Sequence, residues 1–204
     1  MLSICSRPVI YVTATLLALF MAQVASAAGD AERGRLLADT CIGCHGVETF
    51  NNVYPTYHVP KIAGQNADYI VNALTLYRDG QRDHGTMTAQ AASLSDQDIQ
   101  DIAAYLQSAG GKLDPAAPGV GTAPAAAQVC AACHGPAGIS AIPTNPNLAG
   151  QYLDYLQQAL SDYRSGARKG PNALAMQAQL GAVSEEELAA ISLYFSQQKG
   201  LGNL

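Results

Sequence analysis

The sequence is organised around a five-residue pattern that occurs twice, as CIGCH at Cys41–His45 and as CAACH at Cys130–His134. Two cysteines separated by two residues and followed directly by histidine form the attachment pattern of c-type haem. Within one helical turn this spacing presents both thiols to the vinyl groups of one porphyrin, and the histidine then brings its imidazole to the iron. We therefore expect two covalently bound haem c groups, each held by two cysteines and one histidine: Cys41, Cys44 and His45 for haem 1, and Cys130, Cys133 and His134 for haem 2.

Methionine supplies the candidate second ligand for each iron. Of the four methionines, Met1 and Met21 lie in an N-terminal segment that we expect to be removed. The other two, Met87 and Met176, each follow the histidine of a haem motif by 42 residues. A methionine is more often a gap-filling core residue, but this equal spacing favours both as iron ligands. A thioether opposite an imidazole gives a six-coordinate iron with a raised reduction potential.

Residues 1–27 have the pattern of a secretory signal. Arg7 gives the basic start, Val9 to Ala22 is an almost continuous apolar run, and Ala25-Ser26-Ala27 is a cleavage site. The run is short for a membrane-spanning helix, which needs about 20 residues, and retention as an N-terminal anchor is the alternative. Cleavage leaves four cysteines, all of them in the haem motifs. We expect a periplasmic protein, either free or peripherally associated with the membrane.

The haem motifs belong to two copies of a longer repeat. An offset of 89 residues aligns the haem motifs and the methionines, and an offset of 86 aligns the Ala-Gly-Gln and Tyr-Arg-x-Gly-x-Arg segments between them. The offset changes because the first copy has three extra residues after its haem motif and the second has three extra before its methionine. Residues 110–124 are rich in glycine and proline and predict a linker. We expect haem domains at residues 28–112 and 125–204, joined by residues 113–124.

Helical patterns account for both domains, and no segment has the alternation typical of a strand. We expect three helices in each half, with loops between them that deliver the methionines. A helix from about Asp30 would lead into the first haem motif with Leu36 and Leu37 facing inward, and Asn66 would cap the second helix. Ser95 and Ser184 would begin the third helices through capping boxes. The predicted fold class is all-α.

Composition narrows the classes of function. The formal net charge of −5 at pH 7 argues against a nucleic-acid binder and a general binder of acidic membranes. Charged residues make up 13% of the chain, below the roughly 25% of ordinary soluble domains, as suits small domains around an apolar cofactor. His58 and His84 are spare histidines of the first half. Either is an alternative to Met87 as iron ligand, but a surface or loop position is favoured for both.

The repeated motifs resemble the dihaem cytochrome c4 family. The resemblance rests on the two CxxCH motifs, the two Ala-Gly-Gln turns, and the two Tyr-Arg-x-Gly-x-Arg stretches at residues 77–82 and 163–168, and it covers essentially the whole chain after the signal. It implies two tandem class I cytochrome c domains related by internal duplication. It also implies that the carbonyls of Pro60 and Pro146 accept a hydrogen bond from the haem-ligating histidines and so fix their orientation.

The resemblance implies an electron carrier that passes electrons from the quinol–cytochrome c oxidoreductase towards a terminal oxidase or another periplasmic redox protein. Iron with protein ligands on both faces has no open position, so we expect no catalytic residues and no enzyme activity. The alternatives are a cytochrome subunit of a dehydrogenase, for example in sulfur-compound oxidation, and a dihaem peroxidase, which needs one exchangeable iron position. Zinc or dithiol chemistry is disfavoured because the CxxC pairs are 89 residues apart, against about 15–20 in zinc ribbons.

Overall fold

The computed structural model describes residues 29–204, so the expected signal at residues 1–27 lies outside the described residues. None of the helices in residues 29–204 is long and apolar enough to cross a membrane. The helices of the described chain are α1 (Ala31–Leu37), α2 (Asp39–His45), α3 (Ala67–Arg78), α4 (Gly85–Ala91), α5 (Asp96–Ala109), α6 (Ala127–His134), α7 (Leu153–Arg164), α8 (Ala173–Leu180) and α9 (Glu185–Ser196). The all-α class is confirmed, and the two halves follow each other as α1–α5 and α6–α9.

The expectation of three helices in each half is wrong, because the described chain has five in the first half and four in the second. A break at Ala38 separates α1 from the haem-motif helix α2. Each methionine lies on a short helix, Met87 on α4 and Met176 on α8, so the predicted methionine loops are also wrong. Seven- and eight-residue helices carry too few apolar repeats for periodicity to reveal them.

One small hairpin interrupts the helices. Strand β1 (Asn51–Asn52) pairs antiparallel with β2 (Tyr57–His58) in the loop that is three residues longer in the first half. Strands of two residues cannot show an alternating pattern in sequence. Tyr54, at the tip of this hairpin, is 93% exposed, so the hairpin offers a tyrosine to solvent on the first half only.

Capping explains where the long helices begin. Ser95 and Ser184 form complete capping boxes with Asp98 and Glu187, as the sequence predicts. Asn66 occupies the N-cap of α3, but its side chain caps nothing there.

Each half has its own apolar core. In the first half α3 and α5 bury residues such as Ile70, Ile102 and Leu106. Leu37 packs against this core as expected, whereas Leu36 is 66% exposed, so its predicted inward position is wrong. The reason is Gly34, where a Cβ would lie 1.9 Å from a backbone oxygen of α5. Successive helix residues differ by about 100°, so turning Gly34 towards α5 turns Leu36 towards solvent.

The second half is built around α7 and α9, whose buried side chains include Leu156, Ile191 and Phe195. Beyond α9 the chain crosses back to the first half. There Gly202 and Ala63 exchange two backbone hydrogen bonds, of 3.1 and 3.2 Å, and Leu204 packs against the core of the first half. The two halves are therefore joined by backbone pairing as well as by the linker.

Candidate haem-binding site

A single cavity of about 750 Å³ runs between the two halves. Its walls include all the residues of the two favoured ligand sets: Cys41, Cys44, His45, Met87, Cys130, Cys133, His134 and Met176. Core side chains of both halves, among them Ile70 and Phe195, also line the cavity. In the first half, α2 carries the two thiols and the imidazole, and α4 carries the thioether. In the second half, α6 and α8 carry the same groups.

The two histidines have the same hydrogen-bonding arrangement. Nδ1 of His45 lies 2.7 Å from the carbonyl oxygen of Pro60, and Nδ1 of His134 lies 2.9 Å from that of Pro146. A carbonyl oxygen can only accept, so Nδ1 carries the proton and Nε2 keeps its lone pair. Burial lowers the pKa of both histidines, which keeps the imidazoles neutral at pH 7. Each Nε2 is thus prepared for a metal.

One cysteine of each haem motif has a thiol whose acidity is changed by burial. Burial raises the pKa of Cys41 and of Cys130, which favours the neutral thiol over the thiolate that zinc requires. Within residues 29–204, His, Cys, Asp and Glu side chains form no group of three that could hold a metal ion.

The spare histidines of the first half have separate environments. His84 caps α4, where its Nδ1 accepts the N–H of Met87 at 3.3 Å, and it lines the cavity. His58 is not part of the cavity wall. Its Nδ1 lies 2.7 Å from a carboxylate oxygen of Asp154 and its ring stacks on Tyr152 with centroids 4.7 Å apart. His58 therefore joins the hairpin of the first half to α7 of the second.

Two buried arginines meet in the cavity wall, where Arg82 and Arg168 pair as an antiparallel bridge between the halves. They are 7% and 8% exposed. The hydroxyl of Tyr155 accepts from both guanidinium groups, at 3.1 and 3.3 Å. Burial would raise the pKa of Tyr155, but the two guanidinium charges outweigh it and lower the pKa to about 8.

Negative charge near these arginines is scarce. Within the described chain, Arg82 has no carboxylate at ion-pair distance, and Arg168 has only Asp162, 3.6 Å from its Nε. That Nε is buried without a hydrogen-bond partner. A buried charge is costly unless it is paired and hydrogen-bonded. Haem carries carboxylates that would supply these arginines with both an ion pair and a hydrogen bond. Together with the thiol pairs, the neutral imidazoles and the thioethers, the arginines form a set of groups that fits haem c.

Sequence reasoning assigned no role to several residues of this site. Arg82 and Arg168 are part of the repeated Tyr-Arg-x-Gly-x-Arg motif. Gln65 and Gln151 belong to the Ala-Gly-Gln motif, are each 4% exposed, and reach into the opposite half. The available signal was their repetition in register, since a surface residue has no physical reason to recur at the same place in both copies.

Comparison with known proteins gives a consistent picture. The family model described as cytochrome c matches residues 31–110 and 121–199. The chain is 35% identical to cytochrome c4 of Pseudomonas aeruginosa over 191 residues, covering 88% of this chain and 94% of that protein. It is also 35% identical to a thiosulfate dehydrogenase electron acceptor of Stutzerimonas stutzeri over 174 residues, covering 78% of this chain and 79% of the relative. The crystal structure of reduced recombinant cytochrome c4 from Pseudomonas stutzeri superposes with a TM-score of 0.65 and 31% identity, covering 86% of this chain and 100% of that one.

Proposed function

The chain belongs to the cytochrome c4 family, with two tandem cytochrome c domains and two covalently bound haems, and we propose that it carries electrons between redox proteins of the periplasm. The observation that carries this proposal is the pair of equivalent ligand sets on one cavity. The donor is proposed to be the quinol–cytochrome c oxidoreductase and the acceptor a terminal oxidase. The signal pattern of residues 1–27 supports export, and peripheral membrane association is part of the proposal.

Haem, when bound, supplies a reversible one-electron couple at its iron. The residues of the chain would hold it and set its surroundings. We propose that the two cysteines of each motif form the thioether bonds, and that His45 with Met87 and His134 with Met176 are the iron ligands. Pro60 and Pro146 orient the imidazoles. Arg82 and Arg168 would take haem carboxylates, and the apolar wall keeps water from the iron.

The proposed ligands also argue against an enzyme. A peroxidase needs one iron position that a substrate can occupy, whereas each half offers a histidine and a methionine to the same cavity. We therefore propose that the protein has no substrate chemistry of its own and exchanges electrons only.

An optical redox titration of protein matured with haem tests this function. We expect two haems per chain, two components of high potential, and a full-strength far-red band of the oxidised form, which reports methionine on iron. Binding of cyanide or peroxide to one iron at neutral pH, together with a half-strength band, would contradict the carrier and favour the peroxidase.

A second candidate function is to accept electrons from a dehydrogenase that oxidises sulfur compounds. The specific observation is the 35% identity to a relative named thiosulfate dehydrogenase electron acceptor. Mixing the oxidised protein with a purified thiosulfate dehydrogenase and thiosulfate distinguishes the candidates. Reduction of both haems within milliseconds favours this function, and reduction only by the quinol–cytochrome c oxidoreductase favours the respiratory one.

A further inference from the structure

Gln65 and Gln151 are repeat counterparts, and each side chain is hydrogen-bonded to the backbone of the opposite half. Nε2 of Gln151 donates to the carbonyl oxygen of Lys61 at 2.8 Å, and its Oε1 accepts the N–H of Lys61 at 2.9 Å. Gln65 makes the same two bonds with Asn147, at 3.1 and 2.7 Å. Lys61 and Asn147 are themselves repeat counterparts, so the two arrangements are related by the duplication.

One bond of each pair, the one from the backbone N–H, lies on a peptide group that also contacts a histidine of a haem motif. The carbonyl of Pro60 and the N–H of Lys61 belong to one peptide group. Its oxygen lies 2.7 Å from Nδ1 of His45, and its N–H donates to Gln151. One continuous chain of hydrogen bonds therefore runs from an imidazole of the first half, through a single peptide group, to a side-chain amide of the second half.

The same chain exists in the other direction. His134 contacts the oxygen of Pro146 at 2.9 Å, and the N–H of the same peptide group donates to Gln65 at 2.7 Å. Hydrogen bonds in a chain polarise one another, so an acceptor on the peptide N–H makes the carbonyl a stronger acceptor for the imidazole proton. A stronger bond at Nδ1 fixes the ring and raises the basicity of Nε2.

We propose that Gln151 positions His45 and that Gln65 positions His134, so that each half tunes the iron ligand of the other half. This inference rests on the proposed function, because it takes both histidines as iron ligands. A more basic histidine favours the oxidised iron. Replacing one glutamine weakens its chain of hydrogen bonds. The reduction potential of the haem in the other half therefore rises, and that of the haem in the glutamine's own half stays unchanged.

The surrounding contacts make single glutamine variants informative. Nζ of Lys61 donates to the carbonyl oxygen of Gly150 at 2.8 Å, and Nδ2 of Asn147 donates to that of Gly64 at 2.9 Å. These bonds still join the same segments when a glutamine side chain is replaced. The variants are therefore expected to keep the two halves together while they lose the bonds of the glutamine side chain, including the one to the proline peptide.

The experiment uses the haem-loaded protein with Gln65→Leu or Gln151→Leu and a redox titration that resolves both haems. Met87→Ala identifies the component that belongs to haem 1. We expect Gln151→Leu to raise the potential of haem 1 alone and Gln65→Leu to raise that of haem 2 alone. The hyperfine-shifted proton NMR signals of the ligand imidazoles should move in the same crossed pattern.

Gln198→Leu is the matched control. Gln198 is 5% exposed and bonds both backbone groups of Val120, at 2.6 and 3.0 Å, without touching either proline peptide. It should leave both potentials in place. Gln151→Glu keeps an oxygen acceptor for Lys61, so the potential of haem 1 should not rise.

Three results would overturn the inference: no shift, a shift of the haem in the same half, or an equal shift in the control. The proposed function has a separate readout, because it fails only if the wild-type protein lacks two haems per chain or the full methionine–iron band. With both present and no crossed shift, only the positioning role of the glutamines is lost.

Discussion

The two halves contain the same haem motif, but the segments at their ends pack differently. In the first half α1 crosses α5, and Arg33 forms ion pairs with Asp98 and Asp101. The residues that correspond to α1 in the second half, 120–126, have no helix, and the amide of Gln198 bonds the backbone of Val120 instead. Gly202 and Leu204 then leave the second half and contact the first.

This difference shows which parts of a duplicated domain are free to change. Many residues on the cavity have a counterpart in the other copy, and the prolines, glutamines and arginines there recur in register. Residues at the edges meet different neighbours: α1 packs on α5 in the first half, whereas Gln198 holds the backbone of Val120 in the second. The edges have therefore diverged while the cavity has kept its symmetry.

Replacing one methionine at a time tests this symmetry and should have the largest effect. If both halves are equivalent at the iron, Met87→Ala and Met176→Ala should each remove about half of the far-red band and lower one potential. Leu174→Ala is the control, since Leu174 lies beside Met176 on α8 and is 76% exposed. A full-strength band in Met87→Ala would contradict the equivalence and would point to His84 or His58 as ligand.

The cores of the two halves differ at several matched positions. At one of them Phe195 in α9 corresponds to Leu106 in α5, and both side chains are buried. Phe195→Ala should destabilise the protein by about 3–5 kcal/mol, and Leu106→Ala by about 2–5 kcal/mol, because each truncation leaves a cavity. Urea unfolding of the haem-loaded protein measures both. The exposed Leu193 of α9 serves as control, with an expected change below about 0.5 kcal/mol for Leu193→Ala. Equal losses from Leu193→Ala and Phe195→Ala would contradict the assigned core.

The backbone pairing of Gly202 with Ala63 of the first half can be broken at one atom. Gly202→Pro removes the N–H that donates to Ala63 at 3.1 Å, at an expected cost of about 0.5–1.5 kcal/mol. Gly202→Ala is the control, because a Cβ there meets nothing within 4 Å. Hydrogen exchange should become faster in α5 of the first half in the proline variant. Faster exchange confined to the second half would show that the contact of Gly202 with Ala63 does not stabilise the first half.

Acid should weaken the ion pairs of α1, with a smaller effect on stability than the substitutions above. Hydrogen bonds from Ser95 and the ion pair with Arg33 lower the pKa of Asp98 to about 2, and the N–H of Asp30 with Arg33 lowers the pKa of Asp101. Their unfolded value is about 3.9, so the stabilisation is complete above that pH and is lost as the pH falls through the folded values.

Arg33→Gln should therefore move the acid unfolding midpoint of the first half upward by less than about one pH unit. Circular dichroism and hydrogen exchange of α1 and α5 report this midpoint. Arg35→Gln is the control on the same helix, because Arg35 is paired only with exposed Glu32 at 3.9 Å. Identical midpoints for the two variants would show that the ion pairs of Arg33 stabilise the first half no more than that of Arg35.

Local chemistry made much of the protein predictable. The cofactor follows from cysteines and histidines that are adjacent in sequence, and Ser95 and Ser184 mark helix starts because a capping box needs only four residues. Leu36 was misplaced because helical periodicity does not say which face a neighbouring helix will meet. The role of Asn66 was missed for a related reason, since its side chain donates to Asn145 of the other half at 2.8 Å instead of capping α3.

The sequence by itself determined the haem motifs, the duplication and the all-α class, because each is recorded in spacings and in periodicity along the chain. Only the tertiary structure decided what the repeated polar residues do. Gln65 and Gln151 find their partners 82 and 90 residues away, and Arg82 meets Arg168 across the boundary between the halves. A hydrogen bond depends on distance and direction in space, and the sequence separation of its partners carries no information about either.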